Sequence, residues 1–320
     1  MNIGISTRWN AYRHKDGRAM IDEIRSIGFD RVEIGYDLTA DLVDGVAGMV
    51  REKVIIVDSV HNFCPVPPGV PFGHPELFEL ASQDIDIRKA AVRHTLSTVD
   101  FAGSIGAKFV VIHAGRIKTR ITSRRLISMC ESGKQKTSRY ERLKMKLIIQ
   151  REKKAGEKID ALYHSLEEML PHLERTGVGL AIEILPSWEA VPAEAEMLSI
   201  FKRFNSPFIK YWHDTGHAQT RENLGFIVHR AWFEKLLPWL AGMHIHDIRY
   251  PAFDHLMPPM GELDFGIFNL QEIQNVIHIL EPAPGTPSEV VKEAQEFLKR
   301  KWQTTQPQNT TLLKEEVISK

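Results

Sequence analysis

The chain has 320 residues, of which 43% are hydrophobic and 26% are charged. These fractions are those of an ordinary globular protein, so wholesale disorder, collagen and coiled coil are excluded as descriptions of the whole chain. The 41 basic and 41 acidic side chains give a formal net charge of zero, which argues against a uniformly basic nucleic-acid-binding surface.

The zero net charge conceals a strongly basic segment. Residues 116–158 carry 15 basic and 4 acidic side chains, a net charge of +11, so the other 277 residues carry −11. Only two cysteines are present, which implies no disulfide framework and indicates a reducing compartment. No apolar run reaches the roughly 18 residues of a membrane span, and no signal-peptide pattern opens the chain. We therefore expect a cytoplasmic protein with no membrane partner.

Eight short apolar runs recur along the chain, and helical patterns lie between them. The predicted strands are residues 2–6, 31–35, 54–60, 108–113, 178–184, 207–213, 242–247 and 276–281. The predicted helices are residues 17–27, 84–105, 157–176, 193–204 and 287–302. This alternation predicts the α/β class and a (β/α)8 TIM barrel. An open doubly wound sheet would carry a glycine-rich turn after its first strand, whereas that turn reads Thr7-Arg8-Trp9-Asn10.

We expect residues 1–302 to form one barrel domain and residues 303–320 to form a polar, disordered tail. The interval between the fourth and fifth strands is about twice the normal length, and its surplus is the basic segment 116–158. Because this segment follows the end of a strand, we expect a helical insertion on the C-terminal face of the barrel, where TIM-barrel active sites are built.

Side chains that can bind metal ions lie at the ends of six consecutive predicted strands. They are His61, His113, Glu183, Asp214 with His217, His244 with His246, and Glu281. A barrel brings strand ends together, so these groups can converge on a divalent cation. Glu183 and Glu281 end nearly continuous apolar runs, where an unpaired carboxylate is costly and requires a cation nearby. His61 or His113 taken singly also fits a hydrogen-bonded histidine with no ligand role.

These motifs resemble those of the xylose isomerase-like barrels. That family includes sugar and sugar phosphate isomerases and epimerases, and apurinic endonucleases of the endonuclease IV type. The resemblance covers residues 1 to about 300 without the basic segment, and its motifs are Asp214-x-x-His217, His244-Ile245-His246-Asp247 and Asp254-His255-Leu256 followed by Gly261-Glu262-Leu263-Asp264-Phe265. The last motif has one glycine where members carry GxG, and Asp254 adjoins His255 instead of preceding it by two residues.

The two branches of the family imply different metal sites. In the isomerase and epimerase branch, the resemblance implies one divalent ion (Mn, Co, Mg or Zn) held by Glu183, Asp214, His244 and Glu281. In the endonuclease branch it implies up to three zinc ions, with additional ligands at His61, His113, His217, His255 and Asp254. The sequence fits both patterns, so the ligands alone leave the branch open.

The function we favour is a metal-dependent isomerase or epimerase of a small sugar or sugar phosphate, working through an enediolate. Glu183 and Glu281 would act as acid and base on the proton beside the carbonyl. Candidates for hydroxyl contacts or proton relay are His217, His246 and Glu189, and candidates for phosphate binding are Arg116, Arg124 and Arg125.

Two other functions are compatible with the same residues. A zinc-dependent phosphodiesterase of the apurinic endonuclease type would use the basic segment on DNA, although the acidic surroundings argue against DNA. A barrel that binds a metal ion or sugar without turnover would show no proton exchange into any ligand. Barrels of this type often pair, so a homodimer is a further expectation.

Overall fold

The computed structural model describes residues 2–303, and its centre is a closed barrel of eight parallel strands. The strands are β1 (Gly4–Ser6), β2 (Arg31–Ile34), β3 (Ile56–His61), β4 (Phe109–Ile112), β5 (Gly179–Glu183), β6 (Ile209–Asp214), β7 (Leu240–Ile245) and β8 (Ile277–Leu280). Each strand pairs with the next along the chain, and β8 pairs with β1. The predicted TIM barrel is therefore confirmed.

Helices connect the strands. Within residues 2–303 they are α1 (Gly17–Ser26), α2 (Ala40–Arg51), α3 (Ile85–Ser104), α4 (Ser123–Glu131), α5 (Ser138–Thr176), α6 (Glu194–Phe204), α7 (Thr215–Asn223), α8 (His229–Leu236), α9 (Leu270–Ile273) and α10 (Ser288–Gln303). The Asp16 carboxylate caps α1 by accepting from two backbone N–H groups, and α5 ends at Gly177 with a φ of 72°. Over this range no helix has the length and apolar character needed to cross a membrane.

The alternation of side chains along the strands divides the core into two layers. Val111, Ala181, Trp212 and Ile279 belong to a small cluster inside the barrel. Their neighbours along the strands belong to a larger cluster that includes residues of the surrounding helices. The inward register of β4, β5, β6 and β8 is therefore fixed, and on these strands the side chain two residues further on also points inward.

The interval between β4 and β5 contains α4 and the 39-residue helix α5. The helix that the sequence predicts over 157–176 begins much earlier, at Ser138, because Tyr140, Leu143 and Leu147 continue its apolar face. These three side chains join residues of α4 in a second, smaller core that also includes Leu224, just after α7. The first half of α5 is thus packed on α4 and on the segment after α7.

A buried arginine connects α5 to the segment that follows β5. Arg151 has no exposed surface and donates to both carboxylate oxygens of Glu196, each at 2.7 Å. It also donates to the backbone carbonyls of Trp188 at 2.8 Å and Ala190 at 3.1 Å. One side chain therefore joins three segments: α5, the loop after β5, and α6.

The last residues of the chain bear on the predicted domain organisation. The disordered tail was expected from residue 303, but Gln303 ends α10, and residues 304–320 lie outside the described residues. The single domain over 1–302 stays a prediction.

Replacing Arg151 with alanine is expected to lower the free energy of unfolding by about 3–5 kcal/mol, because the Glu196 carboxylate loses its buried partner. Arg142→Ala on the same helix is the matched control, since Arg142 is exposed and makes one hydrogen bond, to Ser138. It is expected to change stability by no more than about 0.5 kcal/mol. Urea unfolding followed by circular dichroism measures both variants, and equal losses would contradict the role given to Arg151.

Candidate metal centre

The carboxyl ends of β5, β6 and β8 direct three carboxylates into the barrel. Glu183, Asp214 and Glu281 each stand two residues beyond an inward-facing core residue, namely Ala181, Trp212 and Ile279. Because side chains alternate along a strand, each carboxylate continues the inward face of its strand. All three are at least 95% buried. The strand register alone thus brings three acidic groups to one end of the barrel interior.

These carboxylates surround one nitrogen of His244 at the end of β7. His244 Nδ1 lies 3.4 Å from Glu183 Oε1, 3.4 Å from Glu281 Oε2 and 3.9 Å from Asp214 Oδ2. Glu183, Asp214 and His244 offer ligand atoms that all lie within 4.8 Å of one another. The structure therefore brings together the four residues that the sequence groups around one divalent ion.

A fourth buried carboxylate, Glu33 on β2, holds the opposite side of the same imidazole. Its oxygens lie 2.9 and 3.0 Å from His244 Nε2, and its Oε2 also accepts a 2.8 Å hydrogen bond from Ser59. A carboxylate behind a histidine fixes the ring orientation and the tautomer, and leaves the other nitrogen free for a metal ion. The sequence analysis missed Glu33. We refer to Glu33, Glu183, Asp214 and Glu281 as the carboxylate cluster.

Three further histidines lie beside the carboxylate of Glu183. His61 Nε2 and His113 Nε2 lie 3.2 and 3.1 Å from Glu183 Oε2. His217 Nδ1 lies 3.3 Å from Glu183 Oε1 and 3.0 Å from the carbonyl of Ile184. Glu183 thus has one oxygen towards His244 and His217, and the other towards His61 and His113.

The end of the barrel is completed by two more histidines. His246 Nε2 lies 2.9 Å from Asp214 Oδ1, and its ring stacks on His255 with centroids 4.2 Å apart. With His217 they form a group of three imidazoles whose ligand nitrogens lie within 4.8 Å of one another. Asp254, beside His255, belongs to none of the ligand groups found among residues 2–303.

The charge of the carboxylate cluster shifts the pKa values of the groups around it. Burial opposes ionisation, yet His244 and His113 hold the pKa of Glu183 well below its usual range. Burial likewise lowers the pKa of an imidazole, but Glu281 and Glu33 raise that of His244 well above its ordinary value. Asp214 and Glu183 raise the pKa of His217 to about 10. At His244 and His217 the negative charge therefore outweighs the cost of burying an imidazolium, whereas burial prevails at His113 and lowers its pKa.

Two orphaned atoms show that these residues fit a metal ion. His244 Nδ1 and Glu281 Oε2 are buried and have no hydrogen-bond partner among residues 2–303. Buried polar atoms without partners are rare, and each calls for an explanation such as an ion. One imidazole and three carboxylates suit the borderline and hard divalent ions, including zinc, manganese, cobalt and magnesium.

Glu189 lies elsewhere than the substrate-contact role predicts. It is 95% buried, and its two carboxylate oxygens accept hydrogen bonds from the backbone N–H and the hydroxyl of Ser123 at the start of α4. Its contact partners do not include any residue of the carboxylate cluster. In this structure the hydrogen bonds of Glu189 therefore go to α4, and its contact with a substrate stays a prediction.

The three arginines predicted to bind phosphate are also not gathered at the cluster. Arg116 pairs with Glu76 at 2.8 Å and donates to the Ser187 hydroxyl at 2.9 Å. Arg124 and Arg125 are exposed on α4. The guanidinium beside the cluster is instead that of Arg8, which the sequence analysis did not single out, with Nη1 3.7 Å from Glu281 Oε1.

Solved structures with this fold include several sugar epimerases. A D-tagatose 3-epimerase-like protein superposes with a TM-score of 0.69 at 19% identity, covering 95% of this chain and 98% of its own. The 3-keto-D-glucoside 4-epimerase YcjR of E. coli gives 0.66 at 15% identity, covering 94% and 99%. The IolI protein with a bound zinc atom gives 0.65 at 12% identity, covering 96% and 100%. At these identities the likeness shows the fold.

No curated protein matches the sequence of this chain. The family model described as xylose isomerase-like TIM barrel matches residues 21–301, which is most of the chain. This match agrees with the closed barrel and with the resemblance noted from the sequence motifs. The chain belongs to the xylose isomerase-like TIM barrel family.

Proposed function

We propose that this protein is a metal-dependent isomerase or epimerase of a small sugar or sugar phosphate. The observation that carries the proposal is the unpartnered His244 Nδ1 facing the carboxylates of Glu183, Asp214 and Glu281. These four residues would hold one divalent ion. The epimerases among the structural neighbours support a sugar as the substrate class.

An ion held by these residues would act as a Lewis acid that polarises the carbonyl and hydroxyl oxygens of the sugar. The chain itself must then take a weakly acidic proton from the carbon beside the carbonyl and return it. Glu281 suits the role of base, because its Oε1 accepts no hydrogen bond from residues 2–303 and lies 3.7 Å from Arg8 Nη1, beyond hydrogen-bond distance. A carboxylate oxygen with free lone pairs can accept the proton directly.

Glu183 would be the second acid–base group, and it rests as a carboxylate because His244 and His113 hold its pKa low. Its Oε2 lies within about hydrogen-bond distance of His61 Nε2 and His113 Nε2, so a proton can pass between the carboxylate and these imidazoles. One glutamate would remove the proton to form an enediolate, and the other would return it. The position that receives the proton decides between epimerisation and isomerisation. His217 and His246 border this path and can contact sugar hydroxyls.

A second candidate function, a zinc-dependent phosphodiesterase, is favoured by one specific observation. Besides the site around His244, three more groups of potential ligands meet at the same barrel end. They are His61 with His113 and Glu183, His217 with His246 and His255, and Asp214 with His246 and Glu281. Such adjacent metal-binding groups could activate a hydroxide and stabilise a leaving oxygen. A barrel that binds metal without turnover is the remaining alternative.

Incubation of the metal-loaded protein with ketoses in deuterated water is expected to place deuterium on the carbon beside the carbonyl, detected by NMR. Glu281→Gln is expected to slow this exchange by about 10²–10⁴-fold, because an amide cannot accept the proton. Metal content is measured on the same samples, and Glu296→Gln, on α10, serves as the control. Cleavage of an abasic oligonucleotide without exchange into any sugar would instead support the phosphodiesterase.

Glu33→Gln is expected to weaken metal binding by about 10–100-fold, because the carboxylate that orients His244 is lost. The dissociation constant is measured by competition with a chromogenic chelator. Glu52→Gln is the matched control, since Glu52 is exposed and pairs with Arg18 on the protein surface. Equal dissociation constants for Glu33→Gln and wild type would contradict the orienting role given to Glu33.

Elemental analysis of protein purified without chelator is expected to give about one divalent ion per chain, since the unpartnered His244 Nδ1 faces the carboxylates of Glu183, Asp214 and Glu281 at a single point. About three zinc ions per chain would overturn the single-ion site and favour the phosphodiesterase. His255→Ala separates the two cases further: a single ion at His244 is expected to be retained in this variant, whereas a three-ion site would lose one.

A further inference from the structure

Arg8 lies beside the carboxylate cluster, and no step of the proposed reaction uses it. It belongs to a single turn of 3-10 helix, Thr7–Trp9, that directly follows β1. Its Nη1 lies 3.7 Å from Glu281 Oε1. In the part of the chain from 2 to 303, no other arginine or lysine comes within 4 Å of a carboxylate of the cluster. Arg8 is therefore the one permanent cation placed against this acidic site.

Packing, and not hydrogen bonding, holds the Arg8 side chain. Its guanidinium lies over the ring of Tyr36, 4.5 Å from the centroid, and the Tyr36 ring in turn meets that of His61 at 5.1 Å. A Cβ at Gly35 would come within 2.6 Å of Arg8 Cγ, so a glycine there leaves room for the arginine stem. The side chain is thus laid across the carboxyl ends of β1, β2 and β8.

The guanidinium of Arg8 has donors that the chain does not satisfy. It makes no hydrogen bond to any residue between 2 and 303, and its Nε is buried without a partner. The side chain keeps 22% of its surface exposed, so the rest of the guanidinium is open to an approaching molecule. Buried donors are nearly always paired, so this fork is suited to an acceptor that comes from outside the chain.

We propose that Arg8 binds a carboxylate or phosphate group of the sugar on the Glu281 side of the carboxylate cluster. The inference rests on the proposed function and adds to it the class of substrate, an anionic sugar. A guanidinium fork pairs bidentately with either oxyanion. Four buried carboxylates repel an anion, so an acidic sugar needs a cation of its own at the site, and Arg8 is placed to supply it.

Arg8 fits this role better than the arginines of the basic segment. The guanidinium of Arg116 is already paired with Glu76 and bonded to Ser187. Arg124 and Arg125 are exposed on α4, with no contact to the carboxylate cluster. Only Arg8 combines unsatisfied donors with a position next to Glu281.

The test uses three probes that differ only at carbon 6: D-fructose, D-fructuronate and D-fructose 6-phosphate. Calorimetry measures their binding to the metal-loaded wild type and to Arg8→Gln. We expect wild type to bind at least one anionic probe about 10-fold or more tighter than fructose. Arg8→Gln is expected to weaken the binding of that probe by about 10–100-fold, which is the contribution of charge-assisted hydrogen bonds. The binding of fructose is expected to change little. The probe that shows the effect distinguishes carboxylate from phosphate.

Two further variants and a metal assay make the result specific. Arg8→Lys is expected to bind the anionic probe with an affinity between those of wild type and Arg8→Gln, because lysine keeps the positive charge but lacks the forked guanidinium donors. Arg203→Gln, which removes a surface pair between Arg203 on α6 and Glu167 on α5, is the control. Metal content is measured for every variant, so that a lost ion is not mistaken for a lost contact.

The inference is overturned if wild type binds fructose as tightly as both anions, or if Arg8→Gln weakens all three probes equally. The second result would mean that Arg8 only supports Glu281. Failure of the proposed function looks different: the probes bind with the Arg8-dependent preference, but deuterium enters none of them. Absence of binding by all three probes would overturn both proposals.

Discussion

Burial of negative charge at one end of the barrel is the constraint on which the rest of the site depends. Glu33, Glu183, Asp214 and Glu281 all lie where water is almost excluded, and charges of one sign repel each other strongly there. Buried carboxylates persist only with paired positive charge or a metal ion. His244 meets this need on both sides, since Glu33 holds one nitrogen and the other three carboxylates face the second.

The barrel supplies this arrangement because its inward register is set by apolar packing. Ala181, Trp212 and Ile279 fill the interior, and the next inward position on each strand carries the acid. The core and the site are thus successive layers of one stack of side chains. The basic segment contributes differently: Ser123 and Arg151 bind the loop that follows Glu183, through Glu189 and through the carbonyls of Trp188 and Ala190.

The sequence was sufficient to predict the barrel and the polar side chains at its strand ends, because both follow from the periodicity of strands, whereas the grouping of Glu183, Asp214, His244 and Glu281 came from the family resemblance. Glu33 carries the same signal, a carboxylate inside the apolar run 31–35, and the argument used for Glu183 would have found it. Arg8, Glu189 and Arg116 could not be assigned in this way. Their partners are Tyr36, Ser123 and Glu76, and only the packing of separate loops decides such contacts.

The 39-residue helix α5 spans two cores of unequal size. At 1.5 Å per residue it is about 58 Å long, which exceeds what a barrel wall needs. Its second half packs into the main core, whereas its first half is held by the small core with α4 and Leu224. Cooperative units of a protein open with different free energies, which are low where few buried apolar contacts hold the unit. We therefore expect α4 and the first half of α5, up to the buried Arg151, to open at a lower free energy than the barrel.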